Sequence, residues 1–279
     1  MRIKFLGTGS AFTLKNYQTN LAVEHKGKWL LLDAGGDIRF SMRDAGLSYK
    51  DIDATYISHL HADHSNGIEY LGFCTYFDTS VKEKIKLFGN GELLRRGWED
   101  TWKGGLESVQ GKLLSLDDFF KVKPVKPNGY FEWGGLKFSI VQSIHIMNGY
   151  SLVLCYGLMI DVPGENPSRK GSRIFWTADC QFCPSQIMDF YKQADYIIQD
   201  TETTPFKSGV HANFLDLVTL PEDIKKKMIL VHYQDNVLSN LCGSDVSKSD
   251  VHLLNPEWKQ KASDAGFIGF AERLQEVNF

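Results

Sequence analysis

Residues 59 to 64 read His59-Leu60-His61-Ala62-Asp63-His64, three imidazoles and a carboxylate within six positions. Ile57, Leu60 and Ala62 fit a strand edge running into a turn, which lets His59 and His61 point the same way. Asp63 and His64 fall on the turn that follows and address a second point close by. Imidazole and carboxylate are the usual ligands of a hydrolytic zinc site, and two adjacent ligand pairs predict two ions. A merely polar, His-rich turn is the competing account. It would place four ionisable groups beside an apolar strand with nothing to offset their desolvation.

Three more ligand candidates stand where strands end. His145 closes the run Phe138–Ile144, Asp179 closes Ile174–Ala178, and His232 closes Met228–Val231. The carboxyl ends of strands are where sheet folds gather functional groups. One such histidine is commonly a satisfied surface group; three candidates downstream of the cluster point to a shared site. The ligands then divide into two sets. His59, His61 and His145 hold one ion, Asp63, His64 and His232 the other, and Asp179 bridges them. Two cations about 3.5–4 Å apart can activate a water, aim it at phosphorus or a carbonyl carbon, and stabilise the departing oxygen. Zinc lowers the pKa of such a water to near neutrality, so no separate strong base is needed.

These residues need a scaffold of strands. Strand-length apolar runs occur at Ile3–Leu6, Leu21–Glu24, Trp29–Asp33, Ala54–Ser58, Lys84–Phe88, Leu136–Ile146, Leu152–Ile160, Arg173–Ala178, Tyr196–Gln199 and Met228–His232. Helical patterns fall at Asp37–Ala45, Ile68–Phe77, Glu92–Lys103, Pro184–Lys192 and Asn213–Leu220. Early strands come in hairpin pairs and later ones alternate with helices. The mixture predicts two sheets with helices on their outer faces. Pro124, Pro127, Asn128 and Gly129 break the chain before a new run of strands, and Pro163–Gly171 makes a second polar loop. Ligands fall on both sides of each, so the chain reads as one domain over 1–279. The segment Gly89–Ser115, with Trp98 and Trp102, either completes the core or meets another subunit.

Composition narrows the setting. With 279 residues, 43% hydrophobic, the chain can bury a large core. A net charge of −3 and no basic stripe beyond Lys225-Lys226-Lys227 argue against electrostatic binding of long nucleic acid. That triplet reads as a solvated helix end. No apolar run reaches the roughly 20 residues of a membrane span, and charges interrupt the opening Met1–Leu6 as they would not in a signal peptide. Five cysteines (74, 155, 180, 183 and 242) at unrelated spacings fit reduced thiols and a cytoplasmic location. Cys180 and Cys183 form a CxxC, but Pro184 and Asp179 make that stretch read as a helix start.

The HxHxDH at 59–64, followed in order by His145, Asp179 and His232, resembles the metallo-β-lactamase-fold hydrolases over the whole chain. The resemblance implies an α/β (α+β) fold, an αββα sandwich of two mixed sheets with helices outside. It also implies a dinuclear zinc site, with manganese or iron as alternative occupants, in which Asp63 is both ligand and catalytic residue. Phe5-Leu6-Gly7-Thr8-Gly9-Ser10-Ala11 and Asn16–Asn20 are similar to the opening of the ribonuclease Z-like branch, whose members cut phosphodiesters. Gly7 and Gly9 would let a strand turn sharply beside the metals, and Thr8, Ser10 and Asn20 become substrate-binding candidates; a simple glycine turn is the alternative. Two departures weigh against a transfer-RNA endonuclease. Met147–Ala178 leaves no room for that family's long arm, and its His-Glu-Ala-Thr loop corresponds to Gln199-Asp200-Thr201-Glu202, without the histidine. His211, in Gly209–Asn213, is then the best remaining proton donor, unless it only caps a helix.

Gln199–Glu202 and Val210–Ala212, with Tyr70-Leu71 and Thr75–Phe77, most resemble a narrower group. These are the phage cyclic-nucleotide phosphodiesterases that counter the bacterial Pycsar defence, with their bacterial relatives. That resemblance implies hydrolysis of 3′,5′-cyclic mononucleotides such as cCMP, cUMP, cAMP and cGMP by a homodimer whose partner subunit helps to close the pocket. The helical stripes Ile68, Leu71, Cys74, Thr75 and Tyr70, Phe73, Phe77, with the Trp98–Trp102 pair, offer an aromatic surplus for that interface. A ribonuclease Z-type nuclease, a lactonase or thioesterase on the same metals, and a non-enzymatic binding platform are the other readings. The last would show lost ligands, and none is lost.

Overall fold

Continuous apolar stretches such as Leu30-Leu31-Leu32 and Met228-Ile229-Leu230-Val231 are what a strand covered on both faces requires, and both are fully buried. The computed structural model describes residues 1–164, 171–239 and 253–279. Its strands are β1 (Arg2–Gly7), β2 (Asn20–His25), β3 (Lys28–Leu32), β4 (Ile52–Tyr56), β5 (Lys86–Asn90), the small hairpin β6 (Ser108–Val109) and β7 (Lys112–Leu113), and β8 (Lys121–Val125). They continue as β9 (Tyr130–Trp133), β10 (Leu136–Gln142), β11 (Tyr156–Val162), β12 (Ser172–Trp176), β13 (Tyr196–Asp200), β14 (Met228–Val231), β15 (Gly269–Phe270) and β16 (Glu276–Asn278).

One sheet has the order β16-β1-β2-β3-β4-β5-β8 and the other β15-β14-β13-β12-β11-β10-β9. Each is half antiparallel and half parallel: β3, β4, β5 and β8 run parallel in the first, and β12 to β15 in the second. Between the sheets lie stacked rings of Phe88, Phe131 and Phe138, with Tyr56 on Phe131. A ring buried this fully contributes roughly 2–3 kcal/mol of transfer free energy. On the outer face of the second sheet, the helices Pro184–Gln193, Phe214–Leu217 and Pro256–Asp264 bury Ile187, Leu217 and Ala262 in a second apolar cluster. On the first, Ile38–Asp44 and Gly67–Phe77 bury Ile38, Met42, Ile68 and Leu71. This is the αββα sandwich expected from the sequence.

Several boundaries moved. The strand expected over Leu136–Ile146 stops at Gln142, because the residues beyond it spend their polar groups on the segment that follows β12 in the same sheet. The Ser143 hydroxyl donates to Thr177 O, and Gln181 N donates to Ile144 O. His145 therefore stands on a loop beyond the strand end. Pro124 does not break the sheet; it lies inside β8, at a sheet edge where a missing N–H is tolerated. The helix expected at Glu92–Lys103 is a helical turn Gly91–Arg96, a π-helical stretch Gly97–Trp102 and a turn Lys103–Leu106. A β-carbon on Gly97 would sit 2.4 Å from the Trp102 ring, which is why the chain can fold that ring inward.

The aromatic surplus read from the helices is largely absorbed by the chain itself. Trp102 is buried, Tyr70, Phe73 and Trp98 pack on the core, and Phe77 alone of that set is well exposed. Cys74, Cys155, Cys180 and Cys183 are free thiols. Cys242 and most of the Pro163–Gly171 loop lie outside the described residues. Among the described residues no helix is long and apolar enough to cross a membrane.

Candidate metal centre

Site-bearing strands end abruptly, in residues of unusual backbone. Asp33 after β3, Ala178 after β12 and His232 after β14 all take positive φ, at 64°, 49° and 64°. Such conformations cost non-glycine residues on the order of 1–3 kcal/mol and cluster at functional sites. They turn the chain sharply just where a ligand must project. His61 caps a single helical turn, Ala62–Ser65, so Asp63 and His64 sit on that turn, below His59. Gly35 makes the packing possible: a β-carbon there would fall 2.0 Å from the Asp63 carbonyl oxygen.

The fold brings all seven expected ligands together, in two groups. His59, His61, His145 and Asp179 place ligand atoms within 4.8 Å of one another, as do Asp63, His64, His232 and Asp179. Asp179 belongs to both. Its Oδ2 lies 3.6 Å from His59 Nε2, 3.7 Å from His145 Nε2 and 3.6 Å from His232 Nε2, and its Oδ1 lies 3.4 Å from His64 Nε2. Asp63 Oδ2 is 3.1 Å from His64 Nε2 and 3.3 Å from His232 Nε2, and His61 Nδ1 is 3.3 Å from His145 Nε2. Ligands bonded tetrahedrally to an ion at about 2.0–2.2 Å stand roughly 3.3–3.6 Å apart, and most of these separations are close to that spacing.

The far side of three of the rings is fixed. His59 Nδ1 meets the Ser58 hydroxyl at 3.0 Å, His64 Nδ1 the Asp33 carboxylate at 2.6 Å, and His145 Nδ1 donates to the Val210 carbonyl at 2.8 Å. The inward Nε2 atoms of His59 and His64 are buried and have no hydrogen-bond partner. Orientation by an outer partner with a bare nitrogen facing inward is the arrangement of metal-ligating histidine. Burial lowers the pKa of His59, His61 and His145, which leaves neutral rings with a free lone pair. Burial opposes ionisation of Asp63 and Asp179 too, but the surrounding histidines outweigh it and hold both below the usual carboxylate range. For His64 and His232 burial is likewise overcome, here by Asp179 first, and the charged ring is favoured. Four buried carboxylates, Asp33, Asp63, Asp179 and Asp200, make the centre a sink for positive charge. The residues fit divalent metal.

His211 stands beside these groups. Its ring stacks on His232 at 4.7 Å between centroids and tilts against His145 at 5.0 Å. Its Nδ1 is 2.9 Å from Asp200 Oδ2 and 3.9 Å from Asp179 Oδ2. Burial would lower its pKa, but Asp200 outweighs it and raises it, which favours the protonated ring. In the sequence Asp200 is read only as part of the Gln199–Glu202 pattern, with no role of its own. It ends β13 as His145, Asp179 and His232 end or follow theirs, and that shared placement was the signal available. Asp33, which accepts from the Ser58 hydroxyl and amide and from His64, was missed in the same way.

The glycine-rich opening packs directly behind the centre. Thr8 is buried, its hydroxyl engaged by Tyr233 OH at 2.7 Å and by the Asn16 side-chain amide at 2.6 Å. Its carbonyl accepts the His232 amide at 2.8 Å, bracing a ligand from behind. Asn20 donates to Gln18 O and accepts from Gly35 N, while Ser10 N donates to Tyr233 O. Gly7 allows this because any β-carbon would lie 2.2 Å from Gln18 O. The side chains of Thr8 and Asn20 are thus both buried and hydrogen-bonded within the protein.

A family model described as anti-Pycsar protein Apyc1 matches residues 1–276. The protein of that name from Paenibacillus harenae is 33% identical over 238 residues, covering 85% of this chain and 91% of its own length. That of Bacillus phage BSP38 is 30% identical over 243 residues, covering 85% and 90%. Among solved structures, the metallo-beta-lactamase fold protein YhfI from Bacillus subtilis aligns over 99% of both chains with a TM-score of 0.66 at 17% identity. Human short-form tRNase Z aligns over 100% of this chain and 99% of its own with a TM-score of 0.65 at 16% identity. The fold is that of the metallo-β-lactamases.

Proposed function

The chain belongs to the anti-Pycsar protein Apyc1 family, and on that premise we propose that it is a metal-dependent phosphodiesterase of 3′,5′-cyclic mononucleotides. One observation carries the reading: a single carboxylate, Asp179, faces two histidine groups at tetrahedral-edge distances, with His211 alongside. In this reading two divalent cations, zinc by the character of the ligands, are held by His59, His61, His145 and Asp179 and by Asp63, His64, His232 and Asp179. Bound there, they would supply an activated water and neutralise charge on the phosphoryl oxygens. The chain's own part is to fix that geometry, exclude bulk water and move a proton. Asp200, 2.9 Å from Nδ1, orients the His211 ring. His211 then delivers the proton to the departing ribose oxygen, which leaves poorly without one. The products are nucleoside monophosphates. A nearly neutral chain suits a small, singly charged substrate, and cleavage of such signals would blunt Pycsar defence in a cytoplasm.

The reading includes a homodimer, supported by the resemblance and no longer by the helical aromatics. Light scattering at assay concentration decides that part; a monomer of 31.6 kDa at full activity refutes it. The substrate is tested with a panel of cyclic nucleotides, pre-tRNA and a lactone, each with and without chelator. Chelator-sensitive hydrolysis of several cyclic nucleotides is expected. Activity on pre-tRNA alone transfers the assignment to a ribonuclease, and activity on the lactone alone to a lactonase.

A further inference from the structure

His145 lies beyond the end of β10 at Gln142, so strand pairing does not set its place. Its ring is held by the Val210 carbonyl. Its backbone is held by Gln181, which acts twice. Gln181 N donates to Ile144 O at 2.7 Å, and Gln181 Nε2 donates to His145 O at 2.7 Å. Gln181 stands next but one to Asp179, on a stretch that is itself pinned. The Cys155 thiol donates to Asp179 O at 3.3 Å, and Cys180 N donates to Asp200 Oδ2 at 2.9 Å.

These contacts close a short cycle. It runs from the Asp179 carboxylate to His145 Nε2 at 3.7 Å, from the His145 backbone to the Gln181 amide, and back along the chain to Asp179. A neutral hydrogen bond adds little to the stability of a whole domain. It matters more where it fixes the separation of two donors that must meet one ion, since losing an outer partner costs about 10–100-fold in metal affinity. The second group has other supports. Asp63 and His64 share one helical turn, and His232 N donates to Thr8 O at 2.8 Å.

We propose that Gln181 is a positioning residue for the group of His59, His61 and His145, the tie that sets His145 against Asp179. The proposal rests on the two-ion reading and adds which residue gives this group its spacing. The fold also supplies a matched control. On the helix Pro184–Gln193, Gln186 Nε2 donates to Gln142 O at 2.7 Å, the same kind of bond made to a residue outside the ligand set.

The test loads the protein with cobalt(II), whose visible d–d bands report ligand geometry, and follows those bands as a chelator is added. Wild type should lose its metal in two steps, and His61→Ala, which removes one ligand of the first group, identifies the step that belongs there. Gln181→Met keeps the length of the side chain and removes the donor. It should weaken that step about 10–100-fold and alter its bands, and leave the other step unchanged. Gln181→Asn, with an amide one methylene short, should lie between Gln181→Met and the wild type. Gln186→Met should change neither step. Circular dichroism and melting temperature show that each variant is folded, and Gln181→Asn is the one to read where Gln181→Met is not. A first step unchanged in the folded variants, equal losses at both steps, or the same loss in Gln186→Met overturns the positioning role and leaves the two-ion reading intact. A wild type that takes up fewer than two cobalt ions per chain overturns both.

Discussion

The two histidine groups share Asp179 but differ in what stands behind their rings. Behind His59 and His145 are neutral partners, the Ser58 hydroxyl and the Val210 carbonyl. Behind His64 and His232 are carboxylates, Asp33 at 2.6 Å and Asp200 at 3.4 Å, with Asp63 in front of both. The first group offers neutral rings with lone pairs; the second surrounds its rings with carboxylate charge, which favours protons on His64 and His232 that a cation would displace. Buried carboxylates attract a cation more strongly than neutral rings do, because little water screens them. The second group is therefore expected to keep its ion longer when chelator is added, giving two resolved steps of metal loss.

Removing the shared carboxylate should erase the difference along with the activity. Asp179→Ala is expected to lower turnover by about 10³-fold or more while the domain stays folded, since the apolar core does not depend on it. Elemental analysis should find less metal in both groups; a variant that keeps full metal and activity would refute the shared role. His211→Ala leaves both groups in place and removes the proposed proton donor. A loss of about 10²–10⁴-fold is expected on cyclic nucleotides. It should be much smaller on bis(p-nitrophenyl) phosphate, whose nitrophenolate departs unaided. Equal losses on the two substrates would reassign His211 to positioning.

Outer partners should separate the groups. Asp33 touches His64 directly and reaches His59 only through Ser58. Asp33→Asn is expected to weaken metal binding about 10–100-fold, mostly at the second group. Ser58→Ala should act on the first. Competition with a chromophoric chelator reads both, and identical profiles for the two variants would count against independent outer shells.

Asp37 sharpens the contrast at the smallest scale. Histidines pull buried Asp179 down, whereas Asp37 forms no ion pair among the described residues, and burial, with Asp63 adding to it, pushes its pKa up to about 6. Its folded-state value lies above that of the unfolded chain, near 4. The stability it contributes is full below about pH 4 and is lost as pH rises through about 6. Asp37→Asn should therefore gain on the wild type by about 1–2 kcal/mol at pH 7.5, allowing for partial exposure, and by less at pH 4.5. Denaturant melts at the two pH values measure this. The same gain at both would mean the carboxyl titrates normally.

Ligand residues were readable because chemistry restricts them. His59 to His64 sit on one short segment, and local spacing alone suggests two sets of donors. His145, Asp179 and His232 could be found only as polar residues following apolar runs. Their true positions depend on strands that stop early and on left-handed residues at Ala178 and His232, which residue type does not announce. The glycine-rich opening was visible, but its task was not. Whether Thr8 faces a phosphate or Tyr233 depends on where β14 ends relative to β1, a tertiary relation.

What the sequence determined by itself is the donor set, the alternation of strands and helices, and hence the αββα class, since periodicity and ligand chemistry are local properties. Only the tertiary structure decided the pairing of Asp200 with His211, the link from Asp33 directly to His64 and through Ser58 to His59, the inward turn of Trp102 and the outward turn of Phe206. Each depends on which surfaces meet after distant segments pack. A side chain's identity says what it could contact, and its neighbours are set by the cooperative burial of the whole core.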